Sequence, residues 1–220
     1  MYAVAYRPRS SEFVYTTGQG EIRYYKTRKS HRDLSPRHRG RVYALAFADN
    51  GDFFVSGSYD KTVKVWDASS LSLRRELRGH SRYVLAVAIS GNGALIASGG
   101  GDKTIRIWDS KTGQEIATLV GHTNDIESLC FLHGGRYLVS SSEDKTLRVW
   151  DLQTRQQVAQ VFAFSGGGGT DYLVARQDGR FYATPGAESL VKAKVGGRTE
   201  AVSAEFKTRR FSEDGISIIR

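Results

Sequence analysis

Cysteine is almost missing from this sequence, which has Cys130 alone among 220 residues. One cysteine excludes an internal disulfide framework and a cysteine-based zinc cluster, and it agrees with a reducing compartment. Cys130 lies in the apolar run Ser128-Leu129-Cys130-Phe131-Leu132, so it reads as a small buried core residue. Long apolar runs are missing too. Tyr83 to Ile89 is typical, far short of the ~18 residues that cross a bilayer. The start, Met1-Tyr2-Ala3-Val4-Ala5-Tyr6-Arg7-Pro8, has no basic segment followed by an apolar stretch, so no secretory signal and a cytoplasmic location are expected. Histidine pairs at metal-ligand spacing do not occur, so no metal and no cofactor are expected. The run Gly166 to Gly169 lacks a following Lys-Ser/Thr; it reads as a flexible joint rather than a phosphate-binding loop.

What the chain has is enough apolar residue, 40%, to bury a core, and a formal charge of +9 that is unevenly spread. Between Arg23 and Arg41, eight cations (Arg23, Lys26, Arg28, Lys29, Arg32, Arg37, Arg39 and Arg41) stand against Asp33 alone. Such a stretch can meet phosphates or an acidic protein surface, or can simply be a solvated loop.

The chain also repeats. Trp66, Trp108 and Trp150 are each 42 residues apart and each is followed by Asp. His38, His80 and His122 keep that period, as do Asp60-Lys61-Thr62, Asp102-Lys103-Thr104 and Asp144-Lys145-Thr146. A period of roughly 40 to 45 ending in Trp-Asp marks four-stranded blades. Alternation in Val63-Lys64-Val65-Trp66, Ile105-Arg106-Ile107-Trp108 and Leu147-Arg148-Val149-Trp150 predicts third strands. Val42 to Phe47, Val84 to Ile89 and Ile126 to Phe131 read as first strands, with turns at Asp49-Asn50-Gly51, Gly91-Asn92-Gly93 and His133-Gly134-Gly135 before the second strands.

From Arg37 to Asp151 the chain therefore resembles the WD-repeat (beta-transducin repeat) β-propeller family. The resemblance implies an all-β fold with three clear blades in 37–164. Residues 1–36 form a degenerate partial blade with a basic loop, 165–169 a glycine joint, and 170–220 a divergent, blade-like tail. It also implies three structural tetrads: His38, Ser56, Asp60 and Trp66; His80, Ser98, Asp102 and Trp108; and His122, Ser140, Asp144 and Trp150. Indole N–H only donates, hydroxyl and imidazole do both, and carboxylate only accepts, so such a chain satisfies every member. Ser, His and Asp together also invite a hydrolase reading. Three equivalent copies fit a repeat better than a catalytic site, so no catalytic residue and no enzyme activity are expected.

The resemblance further implies a binding face at the loops that carry His and the turn Asp. Its candidates are Arg39, Arg41, Arg82, Tyr83, Asn124 and Asp125, with Tyr59, Gly101 and Glu143 beside the turns; Arg and Tyr combine contact area with hydrogen bonding. The expected partners are proteins or peptides, without membrane. Nucleic acid through Arg23 to Arg41 is an alternative. A second alternative comes from Asp178 to Gly186, which is similar to the segment joining propellers to caspase-like peptidase or other effector domains in some bacterial proteins; this implies a regulatory module. Propellers close with ~4 to 8 blades, so the ring is expected to be small, completed by a second chain, or part of a longer protein. The first-strand pattern Tyr2 to Tyr6 at the start points toward incompleteness.

Overall fold

The computed structural model describes residues 3–27, 30–166 and 169–177, with backbone alone at 27, 30, 163–166 and 169–172, and the backbone of strands at 181–183, 192–195, 198–201, 210–212 and 217–219. Among these residues the chain is all β apart from a 3-10 turn at His133–Gly135. The first antiparallel sheet runs in order through β1 (Val4–Tyr6), β2 (Phe13–Thr16), β3 (Ile22–Thr27) and β4 (Ser30–Asp33). The second is β5 (Val42–Phe47), β6 (Phe53–Ser58), β7 (Thr62–Asp67) and β8 (Leu73–Arg78). The third is β9 (Val84–Ile89), β10 (Leu95–Gly100), β11 (Thr104–Asp109) and β12 (Glu115–Val120). A fourth follows from β13 (Ile126–Leu132) through β14 (Tyr137–Ser142), β15 (Thr146–Asp151), β16 (Gln156–Gly166), β17 (Gly169–Arg176) and β18 (Phe181–Ala183). Antiparallel sheets of at least four strands, in chain order, are the architecture expected of WD-repeat blades.

The tight turns explain the repeated Asp-Lys-Thr. Lys61, Lys103 and Lys145 all sit in the left-handed region, at φ of 71°, 65° and 65°, a conformation that costs a side-chain-bearing residue energy. The Asp before each turn offsets that cost, since Asp60 Oδ1 accepts from the Thr62 amide at 3.1 Å and Asp102 Oδ1 from that of Thr104 at 3.2 Å.

Two compact units are present, Met1–Asp144 with Trp150–Gln156, and Lys145–Val149 with Gln157–Arg220. In the first, three apolar clusters lie between successive sheets: Val14, Ile22 and Tyr24 against Val42, Phe54 and Trp66; Val55, Val63 and Val65 against Val84, Ile96 and Trp108; and Ala97, Ile105 and Ile107 against Ile126, Leu138 and Trp150. Each tryptophan thus faces the preceding sheet, in reach of apolar side chains from two strands. In the second unit, β16 and β17 form a long hairpin with register from Ala159↔Arg176 to Gly166↔Gly169, and β18 pairs with β17.

Several expectations meet the structure differently. Cys130 is exposed, not buried; its counterparts one and two repeats earlier, Ala88 and Ala46, are covered by the sheet that follows theirs. The basic stretch is not one solvated loop, because it contains β4, which gives the N-terminal sheet its fourth strand. Its cations include paired ones: Arg23 donates to Asp33 at 3.0 Å, and Arg37 to Glu21 at 2.7 Å. Gly166 and Gly169 belong to strands, while Gly167 and Gly168 lie outside the described residues. Of Asp178 to Gly186, only Phe181–Ala183 is described, as β18. Thr199 to Arg220 is described only at 199–201 and in the strands Arg210–Ser212 and Ser217–Ile219.

Candidate partner-binding face

The frame of the site is a hydrogen-bond chain repeated three times. Trp66 Nε1 donates to Ser56 Oγ at 2.9 Å, and the Ser56 hydroxyl stands 2.8 Å from His38 Nε2. His38 Nδ1 lies 2.9 Å from Asp60 Oδ2. A carboxylate can only accept, so Nδ1 carries the proton and Nε2 accepts from serine. In the next repeat Trp108 to Ser98, Ser98 to His80 and His80 to Asp102 are each 2.8 Å. In the last, Trp150 to Ser140 is 2.9 Å, and Ser140 to His122 and His122 to Asp144 are 2.7 Å.

The same aspartates reach one step further. Asp60, Asp102 and Asp144 accept the backbone N–H of Arg39, Ser81 and Thr123 at 2.8, 3.0 and 3.0 Å. Each carboxylate therefore ties the loop that carries histidine to the tight turn. Burial pushes the Asp102 carboxyl up, yet the His80 hydrogen bond and charge outweigh it, and the pKa is lowered from 3.8 to about 2. Asp60 is held down in the same way by His38 and Thr62 against the opposing effect of burial. The serines lie beneath this network: Ser56 and Ser98 are 0% exposed and each already accepts an indole N–H. A Ser-His-Asp set sealed like this presents no nucleophile to a substrate.

On that frame sit the candidate contact residues. Tyr59, Gly101 and Glu143 donate their backbone N–H to the carbonyls of Arg41, Tyr83 and Asp125 at 2.8, 2.9 and 2.9 Å. Loop and turn are thus stitched side by side in every repeat. Tyr59 and Tyr83, from adjacent sheets, stack with ring centroids 5.8 Å apart and 8° between planes. Gly101 makes room for that ring, since a Cβ there would stand 2.5 Å from Tyr83. The Tyr83 hydroxyl donates to Asp125 at 2.6 Å, a bond that raises the phenol pKa. The Arg82 guanidinium lies 6.0 Å from the same ring, and Asn124 donates to Glu143 at 3.2 Å.

Arg39 and Arg41 stand apart from that group and line a cavity of ≈ 600 Å³ with Tyr43 and Tyr59. Tyr59, 56% exposed, belongs to both. The face therefore has a cationic end at Arg39 and Arg41, an aromatic middle, and an acidic end at Asp125 and Glu143. Three lining residues are new beside the candidates: Gln19 from the N-terminal sheet's turn, Gly40, and Tyr43, which alternation in β5 reads only as a strand residue. Among the described residues no group of His, Cys, Asp and Glu is arranged to hold a metal, and no helix is long and apolar enough to cross a membrane.

The family description "WD domain, G-beta repeat" matches residues 29–67, 71–109 and 113–151, more than half of the chain. The chain belongs to the WD40 repeat family. Each matched WD40 segment ends on the Asp after a repeat tryptophan. The chain is similar to nuclear distribution protein PAC1 of Scheffersomyces stipitis, 42% identical over 53 residues, or 21% of this chain and 10% of the relative. Against small ribosomal subunit protein RACK1y of Oryza sativa subsp. japonica the identity is 43% over 49 residues, 21% of this chain and 15% of the relative. Against zinc finger CCCH domain-containing protein 59 of Arabidopsis thaliana it is 37% over 71 residues, 29% and 15%. The aligned stretches span 10% to 15% of the length of these relatives.

Proposed function

We propose that the chain is a protein-interaction module that holds a partner protein or peptide on the face built by the histidine loops and aspartate turns, without catalysing a reaction. The observation that carries this reading is the continuity of the Arg39, Arg41 and Tyr43 cavity with the stack of exposed Tyr59 on half-buried Tyr83. Arginine and tyrosine are the residues that most often dominate binding energy, and here they stand on a frame whose polar groups are already satisfied. Membership of the WD40 family supports a scaffold role. A cationic end and an acidic end give a bound segment one preferred direction.

The test is partner capture with the 220-residue chain, comparing wild type with Arg41→Glu combined with Tyr83→Ala. Both substitutions touch the face and leave the tetrads in place. The expected outcome is loss of the same defined partner from the variant at an unchanged melting temperature. Equal recovery of that partner by both proteins would place the contact elsewhere. The nucleic-acid reading draws less support, because Arg23 and Arg37 spend their charge on Asp33 and Glu21.

A further inference from the structure

Away from that face, the first unit contains a second cavity, of ≈ 380 Å³, between the N-terminal sheet and the turn that follows β7. Its chemistry differs from that of the first. Along β3, Ile22 and Tyr24 point into the core while Lys26, on the same side by alternation, passes beyond its edge with 71% of its side chain exposed. Arg32 on β4, in register with Tyr24, completes that wall, and His31 beside it borders the cavity. Neither is hydrogen-bonded or ion-paired through its side chain to a described residue, and Lys26 has only a 3.9 Å approach to Glu12. Glu12 is itself engaged by Arg7 at 2.8 Å. The acid on the opposite side, Asp67, accepts from Ser69, Ser70 and Arg74. The carboxylate nearest the cationic wall, Glu12, is therefore shared between Lys26 and Arg7.

We propose that this cleft binds an organic phosphate monoester. A phosphate monoester carries roughly −1.5 to −2 charges and three acceptor oxygens, which matches the two cationic donors Lys26 and Arg32 better than a carboxylate does. The cavity falls in the size range of small-molecule sites, ~300 to 1,000 Å³, and exceeds what a bare ion fills. Leu71 and Ala68 give it an apolar side for the carbon portion of the ligand. A nucleic-acid strand fits less well, because tracking a backbone takes a continuous basic stripe, and the neighbouring Arg23 and Arg37 are paired.

The test is a calorimetric titration of the full chain with ribose 5-phosphate at low salt, with ribose as the uncharged control. Lys26→Gln combined with Arg32→Gln removes two exposed charges from the cleft. Arg78→Gln combined with Lys111→Gln removes two exposed charges elsewhere. Binding is expected in the wild type, weaker by about tenfold or more in the first pair, and within about twofold in the second. Melting temperatures confirm that each pair is folded, and the single variants Lys26→Gln and Arg32→Gln serve if a pair is not. Phosphatidylcholine vesicles with and without phosphatidylinositol phosphate run in parallel: binding to the phosphorylated vesicles alone would assign the phosphate to a lipid headgroup. Failure to bind either form overturns the proposal, as does equal loss in both variant pairs. Binding of a single-stranded oligonucleotide that ribose 5-phosphate cannot displace would overturn it in favour of nucleic acid.

Discussion

Both ring nitrogens of His80 are occupied, one by the Ser98 hydroxyl and one by Asp102. His80→Ala takes the acceptor from a buried hydroxyl and one donor from a partly buried carboxylate at once, while the bonds from Trp108, Ser81 and Thr104 remain, and losses of this kind cost about 1–3 kcal/mol. Urea denaturation followed by tryptophan fluorescence should show a loss of that size; an unmoved midpoint would separate the tetrad from stability. Acid should act on the same bond. The folded Asp102 pKa, lowered from 3.8 to about 2, means that the contribution of this carboxylate is complete above pH 3.8 and is lost as pH falls through about 2. Asp60 behaves in the same sense. Asp102→Asn should therefore lower stability at neutral pH and make the remaining stability less sensitive to acid below pH 3.8, read from fluorescence-monitored acid titrations of both proteins.

Between sheets, the second strand carries a glycine where the next sheet comes close. A Cβ on Gly99 would stand 2.8 Å from Ile126 Cγ2, and one on Gly57 would stand 2.7 Å from Val84 Cγ1. Gly99→Val forces that spacing open and should cost about 1–3 kcal/mol in chemical denaturation. Elements of this kind were readable beforehand, because a 42-residue period carries strand, turn and tetrad together, and alternation sets which side each residue takes. Contacts across repeats were not readable. The stack of Tyr59 on Tyr83 joins residues 24 positions apart, which no local pattern encodes. Lys64 shows the same limit from the other side. Alternation makes it an outward polar position, yet it is buried, with Nζ donating to the carbonyls of Pro36 and Arg37 at 3.1 Å and facing Glu76 at 3.4 Å. Cys130 misleads for the related reason that hydropathy names an apolar residue and not the neighbour that would cover it.

Over the molecule as a whole, one repeat position has two fates. Val63 and Ile105 are 0% exposed, whereas Leu147, in the same place one repeat later, is 43% exposed. Ile105→Lys buries an unpaired charge and should cost roughly 4 kcal/mol or more. Leu147→Lys should stay within about 0.5 kcal/mol of wild type, measured by the same denaturation. Loss of equal size at both positions would show that Leu147 is covered in solution. The positions proposed to meet a partner vary in another way. Arg41, Tyr83 and Asp125 occupy one register, yet they are a cation, an aromatic and an anion, all held by an identical backbone bond to the turn beside them. A repeat of this length carries the same tetrad and the same backbone bond in each copy, along with one negotiable surface letter. New recognition can then arise by respelling that letter while the grammar beneath it stays untouched.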